Sequence, residues 1–301
     1  MKPMRHYGFR LLVLLIAASA SNATAEEEGL VAPVFAEYAL LLEHFLEEKR
    51  TPEGGLVSAF DYEAALSHER TDAWLEAQSG RLAAFDTDAL DTREKALAFW
   101  INAYNYFMLE QVLTETDDGE PVDSVWDFGG RYNPFRDSVF EQRQFVVGGD
   151  DYSLDGIEKG TLLGPEFREK GWKDARVHFA VNCASVGCPP LRERIFTADN
   201  ADRLLAQNTR LALNTQRQLR IEGDELHLSQ LFQWYESDYM EAEGSVRAFI
   251  RKWAEPEVAQ RVAATDAIHY IDYDWTLNRP ENFPEFSQGD RRYAVDQRGR
   301  D

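Results

Sequence analysis

The distribution of apolar residues predicts a chain dominated by helices. Between about residues 91 and 115, apolar side chains occur on every side of the predicted helix and not on one stripe. A helix with this pattern is normally buried, so we expect it to form the centre of the core. Shorter stretches with a helical period are found at 33–49, 61–67, 70–84, 197–215, 229–240 and 244–264.

Short apolar runs between turn residues predict the strands. Residues 219–228 alternate around a Gly-Asp pair, and residues 145–154 do so more weakly around a Gly-Gly pair, which is typical of hairpins. The compact apolar run from Arg176 to Val181 predicts a buried strand, and Ile268 to Tyr273 predicts the last one. Because helices and strands do not alternate regularly, the predicted class is α+β, helix-rich, with a small and mostly antiparallel sheet.

The first 25 residues have the pattern of an export signal. Lys2, Arg5 and Arg10 precede a short apolar run at 11–18, and a small-x-small motif ends at Ala25. The apolar run is too short to span a bilayer. We therefore expect cleavage after Ala25, a periplasmic or secreted protein, and no membrane insertion after cleavage. An uncleaved N-terminal anchor is the alternative.

Residues 26–278 are then expected to form a single globular domain, followed by a polar, loosely ordered tail at 279–301. The chain has 53 Asp and Glu residues against 32 Lys and Arg residues, a net charge of −21. Nucleic acid and anionic lipid would be repelled, so neither is expected as a partner. The expected ligand is an unidentified small molecule or protein. Solubility explains the acidic charge, and a cationic ligand is the alternative explanation.

The two cysteines, Cys183 and Cys188, stand five positions apart. In an oxidising compartment such a pair is a candidate disulfide. Cys183 is alternatively a candidate nucleophile at the end of the predicted strand, and it would then need a nearby base and an anion hole. The backbone N–H groups of the turn at 184–187 are the candidate anion hole. Both hypotheses stay open on the residues alone.

Three histidines are candidate bases for Cys183. His178 is the nearest in sequence, but in a regular strand its side chain would point to the opposite face from Cys183. His227 and His269 each lie in another predicted strand, where a histidine is more often packed and hydrogen-bonded than catalytic.

Two amides interrupt the buried helix. Asn102 and Asn105 are three positions apart and therefore lie on one side of it. A buried amide without partners costs about 1–3 kcal/mol, so both must bond either a crossing loop or a ligand. No spacing of Cys, His and carboxylates predicts a metal site, and no phosphate-binding glycine loop predicts a cofactor.

Five segments resemble, in chain order, the motifs of the domain-of-unknown-function 547 family. The segments and the motifs they resemble are 98–105 (FWINxYN), 152–158 (LSLDxIE), 177–191 (HFALxCxxxSCPP), 228–235 (LSxIFxWY) and 273–278 (YDWSLN). Besides the cysteines, histidine and asparagines already named, the motif residues are Trp100, Glu158, Ser185, Trp234, Tyr235, Asp274, Trp275 and Asn278.

The resemblance implies a role for Cys183 without assigning one, because the activity of the family is not established. Plant members keep the residue equivalent to Cys183 and lack the second cysteine, which implies that Cys183 matters by itself. They also join the domain to a coiled-coil segment, which implies a role in interactions with partners. Two positions depart from the pattern: Lys159 stands where His is usual, and Gly187 where Ser is common. The first departure puts a catalytic histidine at that place in doubt.

Two hypotheses about function follow. In the first, the protein is a cysteine-dependent hydrolase or transferase acting on an amide or thioester. Cys183 is then the nucleophile, His178 or another histidine is the base, and Asn102 or Asn105 orients the reacting groups. In the second, it is a non-catalytic binding or scaffold module with a Cys183–Cys188 disulfide, and the asparagines anchor loops.

Overall fold

The computed structural model describes residues 30–128, 138–142 and 144–287. The predicted signal segment at 1–25 and the end of the predicted tail, 288–301, lie outside the described residues. The α-helices are α1 (Val31–Val34), α2 (Ala36–Phe45), α3 (Tyr62–Ser67), α4 (Thr71–Ala83), α5 (Arg93–Thr114), α6 (Pro165–Glu169), α7 (Ala201–Leu213), α8 (Leu231–Trp234), α9 (Glu236–Glu243), α10 (Val246–Trp253), α11 (Pro256–Ala263) and α12 (Pro284–Ser287). The strands are β1 (Leu46–Arg50), β2 (Leu56–Phe60), β3 (Phe145–Val147), β4 (Asp150–Tyr152), β5 (Leu219–Glu222), β6 (Glu225–Ser229) and β7 (Ala267–Ile271). A π-helix covers Gly156–Leu162, and short 3₁₀ helices cover Thr87–Ala89, Val125–Asp127, Ala175–Phe179 and Pro280–Asn282.

The predicted central helix is confirmed as α5. Of its 22 residues, 17 are buried, so neighbouring elements enclose it on all sides. The Thr92 side chain caps its start by accepting a hydrogen bond from the Lys95 N–H, 3.3 Å away. The largest apolar cluster of the described residues forms around this helix. A second cluster, which includes Phe179, Phe232 and Phe249, joins the end of the Ala175–Phe179 helix to α8 and α10.

The strands confirm the α+β class but not a single sheet. Within the described chain they form three small sheets: β1 with β2, β3 with β4, and β5 with β6 and β7. The pairings are antiparallel except for β6 with β7, which is parallel. The two predicted hairpins, β3–β4 and β5–β6, are present. The hairpin β1–β2 was not predicted, because Leu46–Arg50 continues the helical composition of the preceding segment.

The predicted strand from Arg176 to Val181 is wrong. The chain forms a 3₁₀ helix at Ala175–Phe179 and then runs without regular structure through the two cysteines. The Asp174 side chain caps the 3₁₀ helix by accepting from the Arg176 N–H, 2.9 Å away. The segment is buried, as its apolar composition requires. Local backbone bonds and the distant side chains of Asn105 and Asn208, and not a neighbouring strand, satisfy its backbone groups.

The chain beyond residue 278 is packed as far as Phe286. Phe283 is buried, and Arg217 holds Glu285 by a two-pronged ion pair with N–O distances of 2.9 Å. Within the described ranges, no helix combines the length and apolar character needed to cross a bilayer.

Candidate functional site

A cavity of about 640 Å³ opens where α5, the π-helix, the cysteine segment, α8 and the segment at 273–275 meet. Its lining combines aromatic rings, carboxylates and both cysteine sulfurs. The aromatic residues of the lining are Tyr104, Trp126, Phe128, Phe140, Trp234, Tyr235, Tyr273 and Trp275. The cavity has the size of a small-molecule site, and its lining mixes apolar and polar surface.

Trp275 is the centre of a continuous aromatic wall. Its ring centroid lies 4.6 Å from that of Tyr273, 5.0 Å from Trp126, 5.9 Å from Trp234 and 6.2 Å from Phe140. These distances are typical of stacked and edge-to-face pairs, so the rings hold one another in place. Trp234 is 45% exposed, so the aromatic wall reaches solvent at that ring.

The two cysteines form a disulfide that lines the same cavity. The Tyr273 hydroxyl lies 3.2 Å from each sulfur. The Ser185 hydroxyl lies 3.3 Å from Cys183 Sγ and 3.2 Å from Cys188 Sγ. The Cys183 backbone N–H donates to Cys188 Sγ at 3.0 Å. Three hydrogen-bond donors thus surround the sulfur pair.

Three of the four backbone N–H groups in the turn at 184–187, the predicted anion hole, donate to other groups of the protein. The Ala184 N–H donates to the Asn182 side chain at 2.9 Å. The N–H groups of Val186 and Gly187 donate at 2.8 Å to carbonyls of the segment 274–276. These N–H groups hold the turn against its neighbour and do not point at a reacting group beside Cys183.

His178 lies between two carboxylates. Its Nε2 is 2.9 Å from Asp238 Oδ2, its Nδ1 is 3.4 Å from Glu158 Oε1, and its ring stacks on Tyr235 with centroids 3.8 Å apart. Burial lowers the pKa of His178, but the two carboxylates raise it more, so the pKa is raised overall. Burial raises the pKa of Asp238, but His178 and Lys173 outweigh it and lower that pKa to about 2. The ring therefore keeps its proton to higher pH than a free histidine does.

The geometry does not pair Cys183 with any of the predicted bases. His178 uses Nε2 for Asp238, and its Nδ1 makes no hydrogen bond. His227 and His269 occupy paired positions on β6 and β7, stack on each other at 5.1 Å and are not lining residues of the cavity. Among the described residues, His178 is the one histidine that reaches the cavity.

Asn102 and Asn105 anchor loops. Asn102 accepts from the Phe196 N–H at 2.9 Å and donates to the Phe196 carbonyl at 2.7 Å. Asn105 accepts from the Asn182 N–H at 2.8 Å and donates to the Ala180 carbonyl at 2.9 Å. Neither side chain lines the cavity, so the loop-anchoring alternative describes their contacts.

Asn182, which the sequence reasoning did not single out, organises the turn that carries the cysteines. Its side chain accepts from the Ala184 N–H and from the Asn278 amide, 3.2 Å away, and donates to the Pro189 carbonyl at 2.8 Å. Asn278 in turn accepts from the Tyr62 hydroxyl at 2.7 Å. The sequence signal that could have identified Asn182 is a polar residue next to a mostly apolar run.

The remaining motif residues divide between the core and the cavity. Trp100 packs in the core against Tyr152, with ring centroids 5.0 Å apart. The Asp274 side chain accepts from the Thr276 N–H at 3.0 Å and shapes the turn before the last motif residues. Glu158 is buried at the cavity and hydrogen-bonds Tyr235. No group of three or more His, Cys, Asp or Glu side chains in the described ranges has metal-binding geometry.

Residues 87–211 match the family model described as "Protein of unknown function, DUF547". The chain resembles the DUF547 family. Comparison with the curated proteins and with the solved structures gave no match. Each of the five segments that resemble DUF547 motifs contributes to the cavity lining, and the contributions include Tyr104, Glu158, Cys183, Tyr235 and Trp275. Every one of these segments therefore places at least one residue at this cavity, while other motif residues, such as Trp100 and Asn102, lie outside its lining.

Proposed function

We propose that the protein is a binding module that holds a small organic cation in the cavity. The observation that carries this proposal is the convergence of all five motif segments on a cavity that combines an aromatic wall with carboxylates. Folding by itself does not require that motif residues from distant parts of the chain meet at one surface. Their meeting at a cavity is expected where they bind a ligand.

The charges of the described lining favour a cation. Three carboxylates, those of Glu141, Asp155 and Glu158, line the cavity. The two positive groups of the described lining lie beside two of these carboxylates, since the Lys159 ammonium is 2.8 Å from Asp155 and His178 Nδ1 is 3.4 Å from Glu158. The described lining therefore keeps an excess of one carboxylate, with Asp238 as a further partner of His178. An incoming anion would meet these carboxylates, whereas an incoming cation would be attracted by them and by the net charge of −21.

The aromatic wall fits the same class of ligand. A cation within about 6 Å of a Trp or Tyr ring face gains about 0.5–2 kcal/mol, and more when it is desolvated. The rings at Trp234, Tyr273 and Trp275 offer adjoining faces for an ammonium group with apolar substituents. A compact, strongly hydrated metal ion would gain less from such a wall.

The test compares choline with 3,3-dimethylbutan-1-ol, its neutral analogue of the same shape, by calorimetry and tryptophan fluorescence. We expect choline to bind at least about tenfold more tightly, the factor that corresponds to roughly 1.4 kcal/mol. Trp275→Leu should abolish the preference. Trp253→Leu, a tryptophan outside the cavity lining, is the matched control and should keep it. Equal affinity for the two probes, or no binding of choline, would overturn the proposal.

Cysteine-dependent hydrolysis or group transfer is the second candidate, and the position of Cys183 on the cavity favours it. Against it stand the carboxylate-bound His178 and the occupied N–H groups of the turn. Lys159, where the resemblance makes His usual, faces the cavity and supplies no imidazole. Intact-mass measurement after iodoacetamide treatment tests the candidate. Labelling without prior reduction would support a resting thiol nucleophile, and no labelling would support the binding module.

We also propose that the protein is exported, on the basis of the basic and apolar pattern at 2–18 and the cleavage motif that ends at Ala25. The disulfide is consistent with an oxidising compartment. The mass of the protein recovered from periplasm or medium should correspond to a chain that begins at Glu26. A chain that retains Met1 and stays with the cytoplasmic fraction would contradict export.

A further inference from the structure

We propose that the Cys183–Cys188 disulfide is redox-active and exchanges with a dithiol that enters the cavity, with Cys188 as the leaving sulfur. This activity goes beyond ligand binding and does not depend on the cation proposal. It rests on three features of the described residues: the access to the sulfurs, the donors around them and the support of the turn that carries them.

The first feature is access. Both cysteines line a cavity that has room for a small molecule or the end of a peptide, and both residues are partly exposed. A disulfide that only closes a loop has no need to face such a cavity. Thiol–disulfide exchange requires an approach to one sulfur, which the cavity provides.

The second feature is the unequal set of donors. The hydroxyls of Tyr273 and Ser185 lie within 3.3 Å of both sulfurs and can turn to either one. The Cys183 backbone N–H donates to Cys188 Sγ alone. Once the disulfide opens, Cys188 as a thiolate can accept all three donors, and hydrogen bonds to an ionised acceptor are stronger than neutral ones. Cys188 is therefore the better leaving group.

The third feature is a turn that does not rely on the disulfide for its shape. Three sets of hydrogen bonds hold this turn. The Asn182 side chain bonds within it, and Val186 and Gly187 bond the segment 274–276 through their backbone. The Gln218 amide donates to the Gly187 carbonyl at 2.8 Å. These bonds remain when the sulfurs separate. The pair can therefore open and close while the cavity keeps its wall.

The proposed exchange has two steps. A thiolate of the entering dithiol attacks Cys183 Sγ, a mixed disulfide forms, and the electron pair of the broken bond goes to Cys188, which leaves as a thiolate. The second thiol of the dithiol, as its thiolate, then attacks the first sulfur of the dithiol, which is bonded to Cys183 Sγ in the mixed disulfide. Cys183 is released as a thiolate and takes up a proton. The dithiol ends as a disulfide, and the cysteine pair ends reduced by two electrons.

The experiment equilibrates the folded protein with dithiothreitol redox buffers, stops exchange with acid and measures the reduced fraction by alkylation and intact mass. We expect reduction without unfolding, at a rate that is insensitive to low urea concentrations. Tyr273→Phe should shift the equilibrium toward the disulfide by about tenfold, because one bond to the thiolate is lost. Tyr239→Phe is the matched control and should match the native protein, because the Tyr239 hydroxyl has no hydrogen-bond partner and lies outside the cavity lining.

Two results would overturn the proposal: reduction that occurs only as fast as the protein unfolds, or a Tyr273→Phe equilibrium equal to that of the native protein. If Tyr273→Phe does not fold, Ser185→Ala tests the same point. The leaving sulfur is tested with the single variants. The Cys188 thiol in Cys183→Ser should reach its full alkylation rate at lower pH than the Cys183 thiol in Cys188→Ser, and the reverse order would refute the assignment.

Discussion

Replacing His178 by glutamine should remove a pH-dependent part of the folding stability. In the native protein His178 faces Asp238 at 2.9 Å and Glu158 at 3.4 Å. Burial lowers its pKa, but these carboxylates raise it more, so the folded protein keeps the proton to higher pH than the unfolded chain, whose value is 6.5. Stability is thereby linked to pH.

The sign of the effect follows from where the proton is bound. Below pH 6.5 both states bind it, and the stabilisation by His178 is complete. Between 6.5 and the raised pKa of the folded state, the free energy of unfolding falls by up to about 1.4 kcal/mol per pH unit. Asp238 acts in the opposite direction: its contribution is complete above its unfolded value of 3.8 and is lost as the pH falls toward 2. This pair therefore stabilises the protein most between these limits.

His178→Gln leaves the buried Glu158 carboxylate and the half-buried Asp238 carboxylate without their shared cation. Breaking a buried ion pair typically costs about 3–5 kcal/mol. We expect the lower part of this range at pH 6, because the Lys173 ammonium remains 2.6 Å from Asp238. The difference from the native protein should shrink as the pH rises, because the native protein then loses the same cation.

Urea unfolding at several pH values between 5.5 and 9 measures this difference, provided that the transitions are two-state. His44→Gln is the matched control. His44 is an exposed histidine whose Nδ1 lies 2.8 Å from the Leu40 carbonyl, outside the cavity. His44→Gln should follow the native pH profile. A difference between His178→Gln and the native protein that stays constant from pH 6 to 9 would refute the reasoning, because it would show that folding does not raise the pKa of His178.

Two further substitutions test the support of the cavity. Asn105→Ala leaves two buried backbone groups without partners and should lower the free energy of unfolding by about 2–4 kcal/mol in urea titrations; a loss below about 1 kcal/mol would contradict its anchoring role. Gly187→Ala would place a Cβ 2.9 Å from Tyr273 Cε1 and should cost about 1–3 kcal/mol and weaken choline binding. Gly160→Ala, where a Cβ meets no atom within 4 Å, is the control, and equal unfolding free energies for the two glycine variants would contradict the packing argument.

The elements that the sequence predicted correctly are those with local signals. The helix α5 follows from apolar residues on all its faces, and the hairpin β5–β6 follows from its alternation around a turn in which Gly223 has a φ of +64°. Both signals lie within the element itself. The strand β1 had no such signal, since it becomes a strand only by pairing with the buried β2.

The cysteine segment could not be predicted from local pattern, because its hydrogen-bond partners are distant in sequence. Asn105 bonds Ala180 from 75 positions away, and Asn208 donates to the carbonyls of Phe179 and Pro190. An apolar run whose backbone is satisfied by side chains has the same composition as a buried strand. Apolar pattern alone reports burial and does not report the source of the hydrogen bonds.

Sequence reasoning named several residues of the candidate site but none of their pairings. Cys183, His178 and Glu158, which it named, line one cavity, whereas Asn102 and Asn105 do not. The partner of His178 is Asp238, 60 positions away on a helix whose composition resembles an ordinary exposed one. Charged residues on such a helix are numerous in this acidic chain, so no pattern distinguishes the one that turns inward.

The fold is compatible with both proposed activities, ligand binding and redox exchange, in one cavity. Buried amides and backbone bonds shape the cysteine turn, so the cavity wall does not depend on the disulfide for its position. Tyr273 belongs to the aromatic wall and also contacts both sulfurs, so the two proposed activities share this residue. When the sulfurs are reduced, its hydroxyl turns to a thiolate and the cavity gains negative charge beside the aromatic wall. Reduction should therefore strengthen the binding of choline, and weaker binding to the reduced protein would show that the two activities compete for Tyr273.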